Sequence, residues 1–342
     1  MTLAHLLPLE ACLKEVSASS RNEFPTPQID YFQRYRSVKE WLINNVYKHI
    51  GATLATDGGI YTDHGPDHFD QVIVYAGLMI GAEEPKCVPD RLKPYEVYVL
   101  LMAILLHDAG NVYGRIGHEK KAFKLLSEMG ALAGDDNVQK KDIADVAQAH
   151  GGETPTGDKD TIGILKEHSR HATASFRAQV LAALLRFADE VCENRGRGAR
   201  VLLDGGAISK KSEVYHAYAE SVTTAWPDRG AKTIDIKYDI PINRATRLWG
   251  KGDGETYLID EILLRLEKMD LERKYCTRFM FPVFRVDRID VTININGEDM
   301  TPIQTHPIRL EESGYPSSPE NLAKRYPHLL GQTLHKCLQT KI

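Results

Sequence analysis

The chain has 342 residues, of which 42% are hydrophobic and 26% charged, so it can form two domains of ordinary size, each with a buried core. Its net charge of −4 is too small to predict a polyanionic partner. The five cysteines are dispersed without a CxxC pair, which predicts reduced thiols in a cytoplasmic protein. The first residues lack the pattern of a signal peptide.

Residues 1–60 predict an N-terminal helical extension. Ser37 and Glu40 have the spacing of a capping box, so we expect a helix to begin at Ser37. Val38, Trp41 and Leu42 then lie on one side of that helix.

Residues 61–200 predict a mainly α-helical domain. Pro66 occupies a position typical of the first turn of a helix, and Gly81 is the expected end of that helix. Pro94 is expected to begin a second helix, which contains the apolar run VYVLLMAILL at 97–106. This run is too short for a membrane span, which needs about 20 residues, and therefore predicts a buried core helix. Further helices are expected at 118–129, 138–150 and 175–193.

Residues 201–342 predict a smaller appended α+β domain of the order β-β-α-β, followed by a tail. Apolar residues alternate with polar ones in 232–240 and in 286–295, which is the pattern of half-buried strands. The segment between them has the apolar spacing of a helix. From about Thr301 the sequence is rich in proline, and we expect one last short helix there.

Histidines and aspartates recur at the ends or within the apolar faces of these helices. His107 and Asp108 end the apolar run, where burying ionisable groups is costly unless they are paired or bind a metal ion. Asp189 is likewise embedded in the apolar sequence LLRFADEV. The full set of candidate metal ligands, in chain order, is His68, His107, Asp108, His118, His150 and Asp189.

This order of ligands resembles that of the HD-domain metal-dependent phosphohydrolases over residues 61–195. His68, His107-Asp108 and Asp189 match the ligands of the mononuclear members, and His118 and His150 resemble the two added histidines of the dinuclear members. The resemblance implies an HD-type helical bundle that binds two divalent ions, with Asp108 as the ligand they share. Four imidazoles and two carboxylates suit Mn, Fe, Ni, Co or Mg.

The resemblance does not extend to the substrate. GGE follows His150, where the cyclic-dinucleotide phosphodiesterase branch has GYP. The Glu-Asp pair of the stringent-response hydrolases is also not evident.

Several basic residues are candidates for contact with the substrate. His64, before Gly65-Pro66, is a candidate proton donor to the leaving group. Lys120 is a candidate catalytic residue and Lys121 a candidate phosphate ligand, although the favoured explanation of both is a solvated helix face. Arg195 and Arg197, in a Gly/Arg segment, suit phosphate binding on a flexible loop, with an ordinary charged hinge as the alternative.

The predicted function is hydrolysis of a phosphoester bond in a nucleotide or cyclic nucleotide, with a metal-activated hydroxide as the nucleophile. The expected partner is this small-molecule substrate. No membrane partner is expected, and binding to nucleic acid is possible but not favoured. The protein could also form a homo-oligomer. Two alternatives keep the HD fold: a mixed-valent diiron oxygenase, which has a similar ligand order, and a nuclease for single strands. A nuclease of this kind is expected to have an adjacent pair of histidines and a basic surface interleaved with aromatic residues. The sequence shows neither feature. A non-enzymatic nucleotide sensor is disfavoured by the intact ligand set.

Overall fold

The computed structural model describes residues 6–50, 65–82, 91–312 and 321–339. The chain folds into two compact units. Among the described residues, the first comprises 6–50, 65–82, 91–192 and 276–285, and the second comprises 193–275, 286–312 and 321–339.

The first unit is a helical bundle. Its only described strands are short, β1 (Ser169–His171) and β2 (Ala174–Phe176), which form an antiparallel pair. Its helices are α1 (Pro8–Ser19), α2 (Tyr31–Leu42), α3 (Pro66–Ile80), α4 (Pro94–Leu106), α5 (Ala122–Glu128), α6 (Asn137–Gln148) and α7 (Ala178–Val191).

Helix α4 is the core of this bundle. Every residue of α4 is buried, and the helix packs against α1, α2, α3, α6 and α7. A helix that is apolar on all sides requires packed neighbours on every side, because exposing any side of it to water costs free energy. The expectation that the apolar run forms a buried helix is confirmed.

Prolines begin, and a glycine ends, the helices whose bounds were predicted correctly from the sequence. Pro66 and Pro94 are the first residues of α3 and α4. Gly81 ends α3 with φ +71°, a conformation that glycine adopts without a steric penalty.

The start of α2 differs from its predicted position. The helix begins at Tyr31, where the carboxylate of Asp30 accepts a hydrogen bond from the backbone N–H of Gln33 at 2.9 Å. The prediction of a start at Ser37 is therefore wrong. An aspartate satisfies a free N–H at the true helix start, whereas Ser37 lies in the interior of α2.

The second unit combines helices with a sheet, so the appended α+β part is confirmed. Its strands are β3 (Val222–Asp228), β4 (Thr233–Pro241), β5 (Leu248–Lys251), β6 (Gly254–Tyr257), β7 (Arg288–Asn296) and β8 (Pro302–Glu311). Its helices are α8 (Arg200–Asp204), α9 (Glu213–Ser221), α10 (Ile242–Ala245), α11 (Leu258–Met280), α12 (Leu322–Arg325) and α13 (Gly331–Gln339); α11 continues into the first unit from Cys276.

The four-stranded sheet has the order β3-β4-β7-β8. The central strands β4 and β7, both predicted from their alternation, run parallel with Ile236 opposite Val291. The outer pairs are antiparallel. Strand β8 replaces the irregular tail expected after Thr301. Its prolines, Pro302 and Pro307, are tolerated because β8 is an edge strand, where a missing N–H need not break a ladder.

No single helix in the described ranges has both the length and the apolar composition that a membrane span needs. One sharply bent pair of helices, Pro94–Tyr113 with His118–Glu128, passes the same test.

Candidate metal centre

The backbone changes course at the end of α4. His107 caps this helix, Asp108 follows with φ −103° and ψ −6°, and a 3₁₀ turn begins at Ala109. Consecutive residues of a regular helix point about 100° apart. The departure from α-helical geometry brings His107 and Asp108 to the same cluster of side chains, 3.4 Å apart between Nε2 and Oδ2.

The first triplet of potential ligands is His68, His107 and Asp189, whose nearest ligand atoms all lie within 4.8 Å of one another. Asp189 Oδ1 lies 3.1 Å from His68 Nε2 and 3.7 Å from His107 Nε2. These residues lie on or directly after α3, α4 and α7, so helices packed in the core hold the whole triplet.

The second triplet is Asp108, His118 and His150, within the same limit of 4.8 Å. His118 Nε2 lies 3.2 Å from Asp108 Oδ1. The other oxygen of this carboxylate, Oδ2, lies 3.5 Å from His68 Nε2 and 3.4 Å from His107 Nε2. Oδ2 of Asp108 therefore faces the two histidines of the first triplet, and Oδ1 faces His118 of the second.

Backbone carbonyls orient three of the four imidazoles. Nδ1 of His107 lies 2.7 Å from Ile104 O, Nδ1 of His118 lies 2.9 Å from Arg115 O, and Nδ1 of His150 lies 2.6 Å from Ala147 O. A carbonyl can only accept, so each Nδ1 carries a proton, and in the neutral ring the lone pair is on Nε2. This is the usual arrangement of metal-binding histidines.

Burial and neighbouring charges shift the pKa values of three residues of the cluster in different directions. Burial opposes charging of His107, but the carboxylates of Asp108 and Asp189 outweigh it and raise the pKa of His107 to about 9. Burial, together with His107, lowers the pKa of His150 to about 4. Burial also opposes the charge of Asp189, yet His107 and His68 hold the pKa of Asp189 well below its ordinary value.

These residues fit a divalent ion. His107 Nε2 is buried and has no hydrogen-bond partner within the part of the chain that the structure describes. A buried polar atom of this kind requires an explanation, and a metal ion between His107 and the carboxylates supplies one. A set of imidazoles and carboxylates suits a divalent ion that does not prefer thiolate ligands.

Two residues that support the cluster were missed in the sequence analysis. A Cβ atom on Gly110 would lie 2.0 Å from the backbone oxygen of His118, so only glycine allows these two segments to meet. Asn111 is fully buried, and its Nδ2 donates to Asp108 Oδ1 at 3.1 Å. The approach of Gly110 to His118 joins two segments, and the bond from Asn111 to Asp108, three residues away, depends on the 3₁₀ turn that begins at Ala109, so neither contact has a local sequence signal.

Glu119, also missed, lies between His118 and the backbone that follows His150. Its Oε2 lies 3.5 Å from His118 Nδ1. Its Oε1 packs against Gly152, where a Cβ would lie 2.8 Å away, and Gly152 follows His150 by two residues with φ +74°. The 8% exposed Glu119 thus holds the His118 turn beside the end of α6.

Among the described candidates for catalysis and substrate binding, Asp108 belongs to the second triplet, whereas Lys120, Lys121, Arg195 and Arg197 belong to neither. His64 lies outside the described residues. Lys120 is exposed and lines a surface depression of about 230 Å³ together with Lys141, and none of the six candidate ligands lines it. Lys121 is half-buried beside Gly110.

Arg195 and Arg197 belong to the second unit. The expected flexible loop is a 3₁₀ turn, Arg195–Arg197, capped by the side chain of Asn194. Arg195 is exposed and donates to Thr223 Oγ1 at 3.2 Å. Arg197 is buried and pairs with Glu193 at 3.0 Å. The role of both arginines in phosphate binding stays a prediction.

Comparison with protein families gives one match. The model of the family HD-CE matches residues 59–268, which are 210 of the 342 residues. The match begins near the residue expected from the resemblance and extends beyond it, to within α11. Neither the curated proteins nor the solved structures contain a significant match.

Proposed function

The chain belongs to the HD-CE family, and from this premise we propose that it is a metal-dependent phosphohydrolase acting on a nucleotide or cyclic nucleotide. The HD-type domain and its His/Asp groups support a metal-dependent, hydrolase-like function in general. The single observation that carries the finer proposal is Asp108, whose two carboxylate oxygens face two different sets of candidate ligands.

We propose two ion positions that share Asp108. His68, His107 and Asp189, with Asp108 Oδ2, would hold one divalent ion. His118 and His150, with Asp108 Oδ1, would hold the other. Asn111 fixes the rotation of the shared carboxylate through its bond to Oδ1.

A pair of divalent ions, when bound, lowers the pKa of a coordinated water and stabilises the charge that develops on phosphoryl oxygens. The residues of the chain provide the geometry for this chemistry. The Nδ1–H groups of His107, His118 and His150 stay on backbone carbonyls, so these rings hold one tautomer and one orientation. Nearly complete burial of His68 and His107 excludes bulk water from one side of the centre.

The remaining roles in this proposal belong to basic residues. His64 would give a proton to the leaving oxygen. Lys120, Lys121, Arg195 and Arg197 would contact substrate phosphate. Each role predicts a lower turnover after substitution, with an unchanged metal content.

A phosphoester screen tests the proposed reaction. Nucleotides, cyclic nucleotides and generic phosphoesters are incubated with Mn, Fe, Co, Ni or Mg, and phosphate or nucleoside release is measured. Wild type is compared with His107→Ala and Asp108→Ala, and with His168→Ala as the matched control, because His168 is an exposed histidine outside both triplets.

The expected result is metal-dependent release by wild type and His168→Ala, and none by the two ligand variants. Equal release by Asp108→Ala would contradict the proposal. Oxygen uptake by an iron-loaded protein that releases no phosphate would favour the oxygenase alternative, and cleavage of single strands without turnover of mononucleotides would favour the nuclease.

A further inference from the structure

We infer that Cys192 is a positioning residue of the metal centre, whose thiol holds the His68 ring so that Nε2 faces the ion. The inference rests on the metal site of the proposed function, but not on its substrate. Cys192 is fully buried, directly after α7 and three residues beyond Asp189.

His68 differs from the other three histidines in what its Nδ1 meets. Those three place Nδ1 on the carbonyl three residues earlier. For His68 that carbonyl belongs to Gly65, and it already accepts the backbone N–H groups of His68 at 3.1 Å and Phe69 at 3.4 Å. A carbonyl oxygen has two lone pairs, so both are engaged in starting α3.

The partner that Nδ1 meets instead is a thiol. Cys192 Sγ lies 3.7 Å from His68 Nδ1 and 3.2 Å from the backbone oxygen of Asp189. The carbonyl of Asp189 can only accept, so the S–H group donates to it. The sulfur lone pair is then left to accept from the Nδ1–H of His68.

This direction of hydrogen bonding has a consequence for the ion. Protonation at Nδ1 leaves the lone pair of His68 on Nε2, the atom 3.1 Å from Asp189 Oδ1. Cys192 therefore couples two ligands of the first triplet, one through its ring and one through its backbone. Partners of this kind commonly change metal affinity by about 10- to 100-fold when they are removed.

The test compares Cys192→Ala, which removes the hydrogen bond, with Cys192→Ser, which keeps a donor and an acceptor. Cys12→Ala is the matched control, because Cys12 is also a buried cysteine of the first unit. The affinity for Mn²⁺ is measured by competition with a chelator. The protonated ring nitrogen of His68 is identified by ¹⁵N NMR of the metal-free, histidine-labelled protein.

We expect Mn²⁺ affinity to fall by about tenfold in Cys192→Ala, with partial recovery in Cys192→Ser and no change in Cys12→Ala. We also expect His68 to carry its proton on Nδ1 in wild type and to become a mixture of tautomers in Cys192→Ala. A merely structural role of Cys192 would lower stability without changing the tautomer.

Wild-type affinity in Cys192→Ala would overturn the inference and leave the proposed function intact. A loss of affinity in Cys192→Ala, in a protein that hydrolyses no phosphoester, would support the inference while the proposed reaction fails. A wild-type protein that binds no Mn²⁺ would overturn both.

Discussion

The two triplets of candidate ligands are held in different ways. His68, His107 and Asp189 are supplied by long helices of the core, and the two histidines are at most 1% exposed. In the second triplet, His118 begins a 3₁₀ turn and His150 follows the end of α6, and the side chain of His118 is 15% exposed. Core packing fixes the first set, whereas close approaches at Gly110 and Gly152 fix the second. The second ion position should therefore be the easier one to lose.

The largest effect is expected where the triplets meet. Asp108→Ala removes the carboxylate whose two oxygens face the two groups, so we expect activity to fall by at least about 10³-fold, equivalent to about 4 kcal/mol of transition-state stabilisation. Metal content, measured by elemental analysis, should fall from two ions to one or none. Retention of two ions in Asp108→Ala would contradict the shared-ligand assignment.

Gly110→Ala should disrupt the second triplet and leave the first one intact. The added Cβ would overlap the backbone oxygen of His118, so the turn that carries His118 must move. We expect metal content to fall from two ions to one, with a loss of about 1–3 kcal/mol in the free energy of unfolding.

Gly77→Ala is the matched control for this variant. Gly77 lies inside α3, where a Cβ would make ordinary contacts at 3.7 Å. Alanine is favoured over glycine in a helix by about 0.5–1 kcal/mol, so this variant should keep two ions and melt at a higher temperature. Equal metal content in the two variants would show that Gly110 has no special role.

Glu119→Gln should weaken the second position alone. The carboxylate that faces His118 Nδ1 becomes a neutral amide, so we expect a roughly tenfold weaker second binding step in a Mn²⁺ titration, with the first step unchanged. Glu128→Gln is the matched control, because Glu128 is exposed and pairs with Lys124 on α5. An equal change in both binding steps would indicate that the triplets are not separable.

The smallest effect concerns stability away from the centre. Burial raises the pKa of Asp142 from 3.8 to about 6, with Asp145 and Asp136 adding to the rise and His171 and Lys141 opposing it. A carboxyl with a raised pKa favours the folded state when protonated, so its favourable contribution is complete below pH 3.8 and is lost as pH rises through 6.

Asp142→Asn should therefore stabilise the protein by about 1 kcal/mol at pH 7 to 8 and leave it unchanged near pH 3.5. Chemical denaturation of both proteins across this range measures the difference. A gain of equal size at both pH values would exclude the ionisation of Asp142 as its cause.

The helices and strands that were predicted correctly are those with strong signals in their own sequence. Pro66 and Pro94 marked helix starts, and alternation in β4 and β7 marked strands, because each feature acts within a few residues. Strand β8 was missed since Pro302 and Pro307 argue against a strand everywhere except at a sheet edge, and the edge position is a property of the whole sheet. The start of α2 was misplaced because Ser37 and Glu40 have the spacing of a capping box although they lie inside a helix that Asp30 caps.

The candidate site shows the same division. The six ligands could be proposed because their order along the chain resembles that of the HD-domain phosphohydrolases, and because ionisable residues in apolar helices need a partner. Gly110, Asn111, Glu119 and Cys192 could not, because each acts through a segment that is distant in sequence or turned by irregular backbone. A glycine or a cysteine read along the chain does not indicate which atom it will meet.

The central claim is that Asp108 joins two ion positions. Titration of the metal-free protein with Mn²⁺, followed by electron paramagnetic resonance, tests it most directly. We predict two ions per chain with a spin-coupled spectrum, which becomes that of isolated Mn²⁺ in Asp108→Ala. Two uncoupled ions, or a single ion per wild-type chain, would contradict this account.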